Sequence, residues 1–284
     1  NYLSIGFGNK ITPFLEAYVR RNESYDSEFG AHLKFLLSAD PVENTALSST
    51  FYDMSLNLFY AQQERYLNWK AGISAERNKH NWYGLPTNIP FTNATISNIE
   101  EEQAYTYFKV FGTIKFDDSY LDEANGSISF FTDALSSNEF LIDGNAKFKF
   151  PLNNFHRQLN DLYINTTLSY LGTKFEKNYE TQTELKHSFA TAGIHPTYNF
   201  KVQDLAIKIG AKTYVSLDLE NNDTNFFVYP DLEISYPIVN NFASLFIGAS
   251  GDLETNTYKS LSTKNPYVSP TQNIQQTCQG EVFL

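Results

Sequence analysis

The sequence predicts an all-β protein, an antiparallel up-and-down transmembrane β-barrel with about 13 or 14 strands in residues 1–284. Three observations carry that expectation. Apolar residues recur at every second position along most of the chain, the period at which strand side chains share a face. Most alternating segments run ten to sixteen residues, whereas strands of soluble domains run about five to six. Phe and Tyr number 24 and 19 against 2 Trp, a bias that favours strands.

Taken in order, strands are expected near 2–8, 11–21, 28–37, 51–61, 66–77, 102–116, 126–133, 139–150, 162–174, 185–199, 204–219, 226–237 and 242–254. The clearest alternation is in "QDLAIKIGAKTYVSLDLENND" (203–223). There Leu205, Ile207, Ile209, Ala211, Val215 and Leu217 oppose Lys208, Gly210, Lys212, Tyr214, Ser216 and Asp218. Phe29, Ala31, Leu33 and Phe35 likewise oppose His32 and Lys34; Tyr52, Met54, Leu56 and Leu58 oppose Asp53, Ser55 and Asn57. In 185–199 the apolar parity changes between Leu185, His187 and Phe189 and the later Ile194 and Pro196, so a bulge or an edge position is expected there. A sixteen-residue strand spans roughly 53 Å at about 3.3 Å per residue. No two-layer sandwich core needs that length, while a tilted membrane strand needs about nine to eleven residues for the apolar zone alone.

Connections support the same architecture. Tight turns are expected at 8–10, 62–65, 135–138, 201–204 and 239–241, and long connections near 38–50, 78–101, 175–184 and after 254. The two longest internal ones follow odd-numbered strands, the asymmetry of outer-membrane barrels; the short turns at 8–10 and 135–138 depart from it. A barrel closes only on a paired last strand, and "NIQQTCQGEVFL" ends just where "EVFL" would begin one, so the chain is expected to continue past Leu284.

Composition narrows the function classes. Net charge is -11 and the pI about 4.9, which excludes nucleic acid as a partner because phosphate binding needs a basic face. Mean hydropathy is -0.38, and no apolar run reaches the roughly 18 to 20 residues of a membrane helix. Cys278 is the one cysteine, so no internal disulfide exists. Residues 1–284 read as a single domain.

The polar parity supplies the candidate lumen-facing charges. Basic members are Lys34, Lys70, Lys109, Lys115, Lys147, Lys149, Lys208 and Lys212; acidic ones are Asp53, Glu76, Asp133, Asp143, Asp218, Asp231, Glu233 and Asp252. They alternate in sign from strand to strand, so local cross-strand pairing in a hydrated interior is favoured over a segregated, ion-selecting pore. Asp53 falls between Lys34 and Lys70, and Lys208 and Lys212 fall beside Asp231 and Glu233. Aromatics toward strand ends, Tyr105, Tyr107, Phe116, Phe148, Phe150, Phe226, Phe227, Tyr229 and Tyr236, form a candidate interfacial girdle.

No cofactor, metal or catalytic site is expected. His32, His80, His156, His187 and His195 contain no zinc-binding spacing, the acidic loops match no calcium loop, and no nucleophile elbow or phosphate-cradling glycine loop occurs. Sequons stand at Asn22, Asn93, Asn125, Asn165 and Asn222, but Asn165 falls mid-strand on the polar parity, where a glycan has little room.

The long Tyr/Phe-rich strands, "ITPFLEAYVRRNESYDSEFGAHLKFL" (11–36) and the late "NPYVSPT" (265–271) together resemble the barrel region of Bacteroidota outer-membrane proteins of the TonB-dependent-receptor-like type. That resemblance implies a Gram-negative outer membrane, with lipid and other envelope proteins as partners, and a role in nutrient uptake or as a subunit of a larger envelope complex. Residues 1–30 contain neither a plug domain nor an energy-coupling box. Three functions stay open: a receptor or porin-like transporter; a non-transporting barrel subunit of an assembly or secretion machine; and a soluble extracellular glycan-binding β protein.

Overall fold

The computed structural model describes residues 1–284 apart from 44, 83, 87–88, 100, 155–158, 177–182 and 240–241. Its fourteen strands are β1 (Tyr2–Gly8), β2 (Thr12–Asn22), β3 (Ser27–Ser38), β4 (Phe51–Gln63), β5 (Leu67–Asn81), β6 (Glu102–Phe116), β7 (Leu121–Thr132), β8 (Asn138–Phe150), β9 (Leu162–Phe175), β10 (Leu185–Val202), β11 (Leu205–Asp218), β12 (Asp223–Val239), β13 (Ala243–Thr255) and β14 (Gln276–Phe283). Two short helices, α1 (Asn93–Ser97) and α2 (Tyr258–Lys264), lie in connections. Every strand pairs antiparallel with the next, giving one up-and-down sheet in sequence order. Among the described residues β1 and β14 do not pair, so they are the sheet's two margins.

All thirteen expected strands are present, and β14 adds a fourteenth through "QTCQGEVF", starting five residues ahead of "EVFL". The bulge or edge position expected in 185–199 is absent. β10 lies inside the sheet, and its register with β9 runs unbroken from Leu185 opposite Phe175 to Tyr198 opposite Leu162. The parity of its apolar residues changes because its environment changes along its length. Near its start Leu185 and Phe189 pack against a buried cluster; further on Ile194 lies on the opposite face, where it is exposed.

Connections after odd strands (39–50, 82–101, 133–137, 256–275 among them) gather at one end, called here the loop end. Those after even strands (23–26, 64–66, 117–120, 203–204) gather at the turn end. Several turns rest on left-handed residues: Asn222 at φ 53 suits that region, whereas the β-branched Ile11 at φ 47 is strained in it.

The two faces differ. One carries Leu3, Ile5, Met54, Ile73, Val110, Ile128, Ile142, Leu168, Ile209, Val228 and Ile234, all open to the surroundings; Ile5 is 74% and Leu168 67% exposed. The other carries the charges, and it is concave. Tyr105 of β6 and Phe175 of β9 both contact the Tyr258 ring, at centroid distances of 6.2 and 5.0 Å. Their rings therefore lie closer together than the roughly 14 Å between strands three apart in a flat sheet. Glycines on this face accommodate aromatic rings from the neighbouring strand: Gly30 lies opposite Phe59, and a Cβ there would meet its ring at 2.1 Å. Such glycine and aromatic pairs are a device for bending sheets.

Candidate functional site: a concave face half filled by a strap

The concave face divides across its height. Toward the loop end it is covered by the connection from β13 to β14, residues 256–275. Thr257 caps α2 through a capping box with Ser260, which starts a helix only seven residues long. The first backbone N–H groups of that helix have no partners within it. Here they turn to a carboxylate: Tyr258 N and Lys259 N donate to Glu139 of β8 at 2.5 and 3.1 Å, and Thr173 of β9 donates to the same group at 3.0 Å. Glu139 is buried, and these three donors satisfy it where water cannot.

Tyr258 is the centre of the protein's buried cluster, wholly inaccessible along with Phe175 and Leu171. Its ring meets Phe131 edge-on at 5.3 Å, and its hydroxyl donates to Asp133 at 2.8 Å. Burial first, and then the Asp133 carboxylate, hold this phenol far above its ordinary pKa, so it stays a neutral donor. Lys259 pairs with Glu76 of β5 and lies 4.8 Å from the Tyr107 ring centre. Pro266 O accepts from Tyr105 and bonds His80; Gln272 O bonds His187 at 3.2 Å; Gln276 reaches Thr191 and Ser216. The strap thus touches strands from β5 to β10, and Gln276, the first residue of β14, adds β11.

Toward the turn end the concave face is hollow and polar. Clefts of about 410 Å³ (Glu28, Asn68, Lys70, Thr113, Lys115), 370 Å³ (Asn57, Ser74, Lys109, Asp143) and 620 Å³ (Asn160, Asn199, Lys208, Glu233) line it. Its charges are satisfied in pairs between neighbouring elements: Lys115 with Glu123, Lys147 with Asp122, Lys149 with Asp161. Asp231 is the most buried acid here and holds both Lys208 (2.8 Å) and His195 (2.7 Å); nearer the loop end of β11 and β13, Lys212 and Tyr214 converge on Asp252.

Of the sixteen charges singled out in the sequence, all but Asp133 project from strands on the concave face by their register. Asp133 and Asp218 serve turns. Asp133 follows β7 and caps Leu135 and Ser137, and Asp218 ends β11 and caps Glu220 and Asn221. Lys208 pairs with Asp231 as the alternation of signs suggests. Asp53 instead stands opposite Leu36, while Lys34 stands opposite Ser55 and Lys70 lies 4.1 Å from the Phe59 ring centre. His156 lies outside the described residues.

The nine girdle candidates separate. Phe116, Phe148, Phe150, Phe226 and Tyr236 share the convex parity, the first three at the turn end. Tyr105, Tyr107, Phe227 and Tyr229 lie on the concave parity instead. Tyr105 and Tyr107 belong to the strap's apolar bed, so strand-end position alone misassigns them; the face decides. The convex turn-end aromatics missed by sequence are Tyr60 with Trp69 (5.5 Å) and Tyr198 with Phe200 (5.6 Å). Their alternation was visible, but their common level follows only from register. Glu139 and Tyr258 were missed as well, and the signal available was the Thr257 to Ser260 cap spacing. Compared with known protein families and with curated proteins, the chain matches none.

Proposed function

We propose that this chain is an outer-membrane β-barrel of the receptor or porin-like transport type, its convex face solvated by lipid and its concave face lining a watery interior. One observation carries the reading: an apolar band on the convex face that no other part of the chain covers among the described residues. It runs from Leu67 to Ala75 on β5, from Phe108 to Phe116 on β6 and from Leu205 to Leu217 on β11. That is nine to thirteen residues per strand, close to the about nine to eleven that cross a bilayer at a tilt. Water is a poor solvent for so large a contiguous apolar surface, since patches on soluble monomers rarely exceed a few hundred Å².

The strap favours a second reading. It lies across the loop-end half of β5 to β10, and a lumen narrowed there serves a non-transporting subunit of an envelope complex. Two measurements test the pair. Fractionation comes first: the protein is expected in the membrane pellet and soluble only with detergent, and a monodisperse sample in plain buffer overturns both readings in favour of a soluble β protein. Planar-bilayer recording then divides them. Transport predicts current in the intact protein or on solute addition; silence, together with stable co-purifying envelope proteins, supports the subunit.

A further inference from the structure

On the convex face at the loop end, charged residues stop the apolar band. Lysines there have carboxylates at hand: Lys79 meets Glu102 at 2.6 Å, and Lys174 and Lys186 share Glu184 at 2.6 and 3.1 Å. Arg77 of β5 differs. Its guanidinium bonds two neutral oxygens, Tyr52 of β4 (2.9 Å) and Thr106 of β6 (2.8 Å), and among the described residues it has no carboxylate partner. It is exposed, and one position nearer the turn end on this face stand Leu56, Ala75 and Phe108, where the band begins. A guanidinium carries five N–H donors in a flat fork. Two hydroxyls from the flanking strands fix that fork without neutralising it, and donors remain for a bidentate oxyanion. Lys79, two residues along the same parity, is already paired with Glu102, so among the described residues Arg77 carries the free positive charge of this stretch in a chain whose net charge is -11.

We propose that Arg77, held by Tyr52 and Thr106, binds the phosphate of a lipid headgroup in the leaflet at the loop end. The site rests on the membrane reading and deepens it, because a phosphate at this level belongs to a lipid whose acyl chains run down the band below. Charge and depth select the same ligand. A zwitterionic lipid offers its phosphate with a cation attached, so anionic lipids are preferred.

Native mass spectrometry of the detergent-purified full chain, titrated with phosphatidylglycerol, phosphatidylcholine or inorganic phosphate, tests this. The expected result is retention of phosphatidylglycerol over phosphatidylcholine, weakened about tenfold by Arg77→Gln and less by Arg77→Lys, which keeps the charge but loses the fork. Tyr52→Phe keeps the ring and frees the guanidinium; it is expected to weaken binding severalfold and serves if Arg77→Gln does not fold. Unchanged binding in Arg77→Gln, or in Tyr52→Phe where that stands in for it, overturns the site, and so does displacement of the lipid by equimolar phosphate, which marks a free-anion site. Failure of the membrane reading is distinguishable, since the protein then needs no detergent.

Discussion

The loop-end and turn-end halves of the concave face are built from the same strands and solve the same problem differently. In the loop-end half a segment of the chain itself covers the strands, and Tyr105, Phe131, Leu171, Phe175 and Tyr258 exclude water around one acid, Glu139. In the turn-end half no segment covers them among the described residues, and charges pair across strands beside water-sized space. The difference teaches that an inner sheet face has no fixed chemistry. What the next connection brings against it decides whether apolar or charged residues belong there.

That contrast can be broken at its strongest point. Tyr258→Ala removes a fully buried ring and is expected to cost about 3–5 kcal/mol, to expose 256–275 to protease and to raise bilayer conductance; denaturant titration with limited proteolysis reads the first two. Equal protease resistance in variant and parent would show that the strap is not held by this cluster. Next, Glu139→Gln replaces an acceptor of three donors by an amide with one acceptor oxygen and is expected to cost about 1–3 kcal/mol, again with loosening of the strap first. At the turn end, Lys147→Met breaks a pair whose members are each more than a third exposed, and the expected loss is about 0.2–1 kcal/mol. If that loss equalled the one at Glu139, the two halves would not differ energetically. Of opposite sign is Ile11→Asn, which relieves a left-handed β-branched residue in the first hairpin and is expected to gain about 1 kcal/mol in the same titration.

Sequence legibility follows the same division. Strand positions were readable because the convex face is apolar along nearly its whole height, so period two persists from β1 to β13. The turn-end charges were readable too, because a hydrated inner face keeps polar residues on the opposite parity. Legibility fell where the strap lands. On β6 Tyr105 and Tyr107 make both faces apolar, and on β10 Leu185 and Phe189 mimic a register slip. A segment distant in sequence imposes those residues, and no local window contains it: Tyr258 meets Glu139 across 119 positions and Lys259 meets Glu76 across 183. Pairing such as Lys208 with Asp231 was local enough to foresee; Lys34 with Asp53 failed because a two-residue offset in register separates groups that sequence order makes adjacent.

Neighbour-only strand order also sets a timetable for how the molecule comes together. Each hairpin can zip onto the last with a short loop to close, whereas the strap completes its contacts only when six strands, β5 to β10, lie side by side. The Tyr258 ring, whose partners come from β6, β7 and β9, seats only once those strands are in place, and a chain halted short of that step is expected to present a greasy hollow as a natural grip for chaperones.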